Sequence, residues 1–128
     1  MLLAIGTDLV EIQRVERLVR LYGPRFVDRV YTPGEQERCA GRIESLAARW
    51  AVKEAVMKAL GRGIGEVALL EIEVVRGTDG QPGLRLHGKA QECADALGLH
   101  SWAVSIAHDG GMALAFVAAL KSKAQEFA

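Results

Sequence analysis

Apolar positions along the chain change their period several times, and each change marks a new element. Leu2 to Leu9 reads as a first strand, after which Ile12, Val15, Leu18, Val19 and Tyr22 recur at helical spacing until Gly23-Pro24 stops them. Thr32-Pro33-Gly34-Glu35 combines a capping box with proline at the first helical position, so a second helix starts there and stops near Gly41. Ile43 to Leu60 contains no proline or glycine, and Gly61 stands where a C-terminal cap belongs, which predicts one long helix. Leu70 to Val74 alternates at period two, Asp79-Gly80 turns, and Leu84-Arg85-Leu86 alternates again, as in a hairpin. Gly88 separates that hairpin from a short helix, Lys89 to Leu97, closed by Gly98. Ser101 to His108 and Met112 to Leu120 then read as two strands joined by Asp109-Gly110-Gly111.

The resulting order is strand, three helices, two strands, helix, two strands. It predicts an α+β fold, with a mainly antiparallel sheet packed on a long central helix, and excludes a parallel βαβ array. A chain of 128 residues without repeat or linker is one domain, 1–128, and the tail after about Lys121 is expected to fray. The final hairpin is apolar on nearly every residue. An antiparallel pair usually keeps one wet face, so the second face needs a cover, and association of copies supplies it more economically than the chain's own helices.

Charge narrows the choice of partners. Sixteen basic and sixteen acidic residues cancel, which argues against non-specific binding to nucleic acid or to an anionic membrane surface. The apolar run Met112 to Leu120 is about half the length of a membrane-spanning helix, and the opening Met1 to Ile5 lacks the basic flank of a signal peptide. Cys39 and Cys93 have neither metal-site spacing nor the density of a disulfide scaffold, so reduced structural thiols and a cytoplasmic location are expected.

Candidate chemistry centres on the long helix. It is apolar in every direction around its axis and therefore buried, yet it bears Arg49, Lys53, Glu54 and Lys58. Such charges are costly unless paired, metal-bound or at a cleft. Glu54 and Lys58, four residues apart, are either an ordinary surface pair or half of a metal–phosphate site. Asp8 either caps the first helix or supplies a second carboxylate, and magnesium commonly takes one or two carboxylates plus substrate phosphate and water. Gly61-Arg62-Gly63-Ile64-Gly65 is a helix cap and turn or a loop that approaches phosphate. His108 and Ser105, at odd spacing on one strand, face opposite sides and do not make a nucleophile and base. Arg14, Arg17, Arg20, Arg25 and Arg29 form the one basic patch, a solvated face or a dock for an acidic protein.

Two segments carry a specific resemblance. Ile5-Gly6-Thr7-Asp8-Leu9-Val10-Glu11-Ile12 and Ala48-Arg49-Trp50-Ala51-Val52-Lys53-Glu54-Ala55-Val56-Met57-Lys58-Ala59-Leu60-Gly61 are similar to the two hallmark motifs of holo-[acyl-carrier-protein] synthases. Phe26, Thr32 to Glu37, Gly80-Gln81-Pro82 and Val104-Ser105-Ile106-Ala107-His108 match in order, so the resemblance spans residues 2 to about 120. It implies a magnesium-dependent transferase that moves 4′-phosphopantetheine from coenzyme A to a serine of an acyl carrier protein, in support of fatty acid biosynthesis. It also implies a homotrimer with active sites between subunits. By resemblance, Asp8 and Glu54 bind magnesium and Lys58 contacts the coenzyme A phosphates. Arg49, Gly61, Gly63, Pro82, Ser105 and His108 would line the coenzyme A groove, and Arg14, Arg17, Arg20 and Arg25 would dock the carrier protein. Two positions depart from the pattern: Ala107 stands where serine or threonine is common, and Trp50 where phenylalanine is.

Overall fold

The computed structural model describes residues 2–122, so the expected fraying of the tail falls largely outside the described residues. Eleven elements follow one another: β1 (Leu3–Glu11), α1 (Ile12–Tyr22), α2 (Pro24–Val30), α3 (Pro33–Cys39), α4 (Ile43–Leu60), a 3-10 turn (Leu69–Glu71), β2 (Ile72–Arg76), β3 (Pro82–Leu86), α5 (Gly88–Leu97), β4 (Leu99–Asp109) and β5 (Met112–Lys121). The strands form two antiparallel sheets, a three-stranded one ordered β1-β5-β4 and the β2-β3 hairpin. This is the α+β architecture that the alternation of periods implies.

Three local expectations need correction. Gly23-Pro24 ends α1 as expected but also starts α2: Gly23 has a φ of 52°, and Pro24 occupies the first helical turn, where its missing N–H costs nothing. Strand β1 runs on to Glu11 because β5 pairs with it as far as Met112, so Asp8 lies within the strand, not at its handover to α1. Leu70 and Glu71 belong to the 3-10 turn, and the hairpin strand starts at Ile72. The Glu71 side chain accepts hydrogen bonds from the Ala68 and Lys89 N–H groups, at 2.8 and 2.7 Å, and so ties that turn to the start of α5.

Helix α4 is the core. Ten of its 18 residues are buried, among them Ala47, Ala51, Val52, Ala55 and Val56 at 0 % exposure. The three-stranded sheet covers one side of it, with Ala113, Ala115, Val117 and Ala119 of β5 facing inward. The opposite face of the same sheet carries Leu3, Ile5, Leu9, Leu114, Phe116 and Leu120, all exposed. The doubly apolar hairpin thus has one face under its own helix and one in the open. Alanines on the inward face let the sheet approach closely, and Gly6 allows the tightest contact. A Cβ at residue 6 would overlap the Ala55 carbonyl and lie 3.0 Å from the Ala59 nitrogen.

One charged pair is built into this interior. Lys53 and Glu35 are both at 0 % side-chain exposure and meet at 2.8 Å. Lys53 Nζ also donates to the carbonyls of Leu69 (3.0 Å) and Ile72 (2.6 Å), which gives each of its three protons a partner. Glu35 Oε1 also accepts from Thr32 N–H at 2.9 Å, and Oε2 accepts from Val74 N–H at 2.8 Å. The expected capping box is present, because Thr32 Oγ1 in turn accepts from Glu35 N–H. Burial lowers the Lys53 pKa, opposed by its attraction to Glu35. The pair joins the start of α3, the middle of α4 and the start of β2. Cys39 and Cys93 are free, and burial raises the Cys39 pKa, which makes it a poor nucleophile.

Two substitutions test this packing. Gly6→Ala forces β1 off the α4 backbone and should cost about 3 kcal/mol or more in urea unfolding; a loss below about 1 kcal/mol would contradict the close approach. Glu35→Ala strands a buried ammonium and should cost about 3–5 kcal/mol, a loss that a Glu35→Ala, Lys53→Met double change partly restores.

Candidate active site

The close approach at Gly6 carries Asp8, two residues on and on the same face of β1, to helix α4. Its register partner is Ala115, one of the inward-facing alanines. Asp8 Oδ1 lies 3.2 Å from Lys58 Nζ, which also donates to the Thr7 carbonyl at 3.0 Å. The Asp8 side chain is 19 % exposed and that of Lys58 59 %. An ion pair so open to solvent contributes little to stability. What it does is hold an ammonium group beside a carboxylate at the surface.

The two plain readings of these residues are not realised. Asp8 does not cap α1, whose cap position is Glu11 and receives no side-chain hydrogen bond. Lys58 takes Asp8 as its carboxylate partner instead of forming the helix pair with Glu54. Glu54 accepts instead from Trp50 Nε1–H, at 2.8 Å. Trp50 lies under the Arg14 guanidinium, 5.5 Å from ring centroid to Cζ, and 5.2 Å from the Phe26 ring. Because residues four apart share a helix stripe, a line of side chains runs Arg14, Trp50, Glu54, Lys58 and Asp8. The role of the Trp50 N–H was not evident in the chain, although its spacing to Glu54 and its replacement of phenylalanine were signals of it.

The chemistry of Asp8 and Glu54, carboxylate oxygen, is the kind that a hard divalent cation takes. Asp8 and Glu54 offer oxygen only, and each has one oxygen engaged, Oδ1 by Lys58 and Oε1 by Trp50. Asp8 Oδ2 and Glu54 Oε2 accept no hydrogen bond among the described residues and are free to coordinate. Among those residues no three His, Cys, Asp or Glu side chains gather into a metal-binding group. Magnesium commonly takes one or two carboxylates and fills its remaining positions with water and phosphate oxygens.

A second set of candidates gathers elsewhere. A cleft of about 360 Å³ is lined by Arg49, Pro82, Ser105 and His108, together with Val74, Val75, Arg76 and Ile106. Arg49 Nε is buried and has no hydrogen-bond partner among the described residues, so a donor is left facing no acceptor. Ser105 and His108 lie on opposite faces of β4, opposite Phe116 and Ala113 respectively, and Ala107 lies opposite Leu114 on the outer face. His108 also borders a larger hollow of about 930 Å³ beside the β4-β5 turn, with Glu11, Glu16, Arg42 and Glu44. Asp8, Glu54 and Lys58 line neither space.

Gly61 and Gly63 are not in that cleft. Gly61 caps α4 with a φ of 68°, and the next residue's N–H reaches back to the Met57 carbonyl, so glycine is there for its backbone freedom. Gly63 N–H donates to Glu66 Oε1 at 3.2 Å. Gly61 N–H donates to the Lys58 carbonyl at 3.2 Å. Arg14, Arg17, Arg20 and Arg25 are all exposed on α1 and the start of α2. Leu18, Tyr22, Arg25, Phe26, Arg29 and Val30 enclose a shallow depression of about 360 Å³ beside them. Among the described residues no helix is long and apolar enough to cross a membrane.

Comparisons with known proteins agree with one another. A profile of the 4′-phosphopantetheinyl transferase superfamily matches residues 4–117. Holo-[acyl-carrier-protein] synthase of Herpetosiphon aurantiacus is 50 % identical over 123 residues, covering 91 % of this chain and 97 % of its own. That of Chloroflexus aurantiacus is 52 % identical over 130 residues, covering 89 % and 95 %. The crystal structure of the Helicobacter pylori holo-[acyl-carrier-protein] synthase in complex with coenzyme A superposes with a TM-score of 0.81 at 34 % identity, covering 90 % of this chain and 98 % of that one. The fold, the paired motifs and these likenesses over nearly the whole described length lead to one assignment: the chain belongs to the 4′-phosphopantetheinyl transferase superfamily, among the holo-[acyl-carrier-protein] synthases.

Proposed function

We propose that this protein transfers the 4′-phosphopantetheine group of coenzyme A to a serine of apo-acyl carrier protein, in the cytoplasm and in support of fatty acid biosynthesis. The observation that carries the reading is the Lys58–Asp8 contact at 3.2 Å on the same helix stripe as Glu54, within a family whose relatives carry that activity in their names.

Phosphoryl transfer asks chiefly for positioning and for neutralisation of charge. The carrier serine oxygen attacks the β-phosphorus of coenzyme A as the bond from that phosphorus to the bridging oxygen breaks. Holo-carrier and adenosine 3′,5′-bisphosphate are the products, and the serine proton leaves to a base. Asp8 and Glu54 would hold a magnesium ion, which when bound supplies positive charge against the pyrophosphate. Lys58, exposed and held among the described residues by Asp8 and the Thr7 carbonyl, can turn its ammonium to the phosphate oxygens. Arg49, with an unmatched buried donor, and the Pro82, Ser105 and His108 walls would receive the rest of coenzyme A. Gly61 and Gly63 would lie alongside the phosphates near Lys58.

The catalytic trio and the Arg49 cleft are separate on one protomer, and the outer sheet face is apolar and exposed. Both facts support a homotrimer in which Asp8, Glu54 and Lys58 of one protomer face the cleft of a neighbour. Burying Leu114, Phe116 and Leu120 against their counterparts would drive such an assembly. The arginines of α1, around the Tyr22 and Phe26 depression, offer a complementary surface to the acidic carrier protein.

Three experiments test the reading. With coenzyme A, magnesium and apo carrier, mass spectrometry should show one added phosphopantetheine mass on the carrier. Glu54→Gln should lower the rate at least about 100-fold while light scattering still gives three times the chain mass. No modified carrier with the unaltered protein would leave only coenzyme A binding, and a monomer would remove the shared site. Arg14→Glu with Arg17→Glu should raise the KM for carrier about tenfold or more at low salt, with the KM for coenzyme A unchanged; an unmoved carrier KM would refute the docking patch.

A further inference from the structure

Trp50 touches both halves of the proposed reaction machinery. Its indole Nε1–H donates to Glu54 Oε1 at 2.8 Å, and its ring carries the Arg14 guanidinium at 5.5 Å. Phe26 packs against it at 5.2 Å, so the ring is held from the α2 side as well. A glutamate on a helix has freely rotating terminal torsions, and a carboxylate that must present one defined oxygen benefits from a donor fixing the other. Glu54 has that donor, one helical turn back on its own helix, and Oε2 is left free.

We propose that Trp50 is a positioning residue: its N–H fixes Glu54 so that Oε2 faces the cation and the phosphates, and its ring seats Arg14 on the carrier-docking helix. The inference rests on the reading of Glu54 as a metal ligand. Phenylalanine at this position would keep a ring beneath Arg14 and remove the donor, so the two contributions separate cleanly. A charged or bonded contact of this kind tightens a metal site through orientation without touching the metal.

The test uses the full chain with coenzyme A and no carrier, so that nothing turns over. Mn²⁺ serves as probe, with free Mn²⁺ read by its electron paramagnetic resonance signal. Trp50→Phe should weaken Mn²⁺ binding about fivefold, raise the magnesium needed for half-maximal turnover by the same factor, and leave the KM for carrier unchanged. Trp50→Leu, which removes the ring too, should also raise the KM for carrier. Mn²⁺ affinity within about twofold of the parent in Trp50→Phe overturns the positioning of Glu54; an unmoved carrier KM in Trp50→Leu overturns the seating of Arg14. Glu54→Gln run in parallel separates the two levels. If it loses Mn²⁺ while Trp50→Phe keeps it, only the role of Trp50 falls, whereas if Glu54→Gln binds Mn²⁺ like the parent, the metal reading itself falls.

Discussion

Strand β1 can lie against the backbone of helix α4 because residue 6 has no side chain, and most of the site geometry descends from that contact. With Gly6 against Ala55 and Ala59, the inward face of β1 is locked to the helix at the level of its last turns. Asp8, next on that face, is then brought to Lys58, and a carboxylate from the start of the chain meets an ammonium from its middle. The small inward side chains of β5 serve the same end, since Ala113, Ala115 and Ala119 let the sheet follow the helix closely. A tighter interface here is a requirement for placing charge as well as for excluding water.

The other anchor of α4 is electrostatic. A lysine and a glutamate without solvent contact are a poor source of stability compared with apolar groups of the same size. Their full set of partners, three carbonyl or carboxylate acceptors on Lys53 and three N–H donors on Glu35 counting its own capping box and Lys53, defines one arrangement of α3, α4 and β2. The pair therefore fixes the rotation of α4. That rotation decides that Trp50, Glu54 and Lys58 emerge along one open stripe while Val52 and Val56 turn inward.

Function then follows from what the fold leaves exposed. The polar stripe on α4, the cleft at Arg49, the apolar outer sheet face and the arginines of α1 are four surfaces with different chemistry on a small domain. Each alone is ordinary. All four lie around one helix in a chain of 128 residues, and the proposed phosphate handling, self-association and carrier docking would each use a different one.

Much is legible in the chain for local reasons. The period changes located nearly every element, the Thr32–Glu35 box and Gly61 marked helix ends through backbone hydrogen bonding, and the charges of α4 stood out because a helix apolar all round has no cheap place for them. Helix α2 was hidden because Gly-Pro signals a stop and a start with the same two residues. Which charge meets which was not a local matter. Glu54 four residues before Lys58 looks like a pair, yet Lys58 turns to Asp8 and Glu54 to Trp50, since partner choice depends on the strand that β5 holds beside the helix. The amino-acid sequence by itself determined the elements, their caps and the residue types available for chemistry, because those depend on neighbours a few positions away. Only the tertiary structure decided that Lys53 is buried with Glu35, that Gly6 admits the strand and that Gly61 and Gly63 stay out of the cleft that Arg49 shares with Pro82 and His108, because those contacts join segments that sequence distance keeps apart.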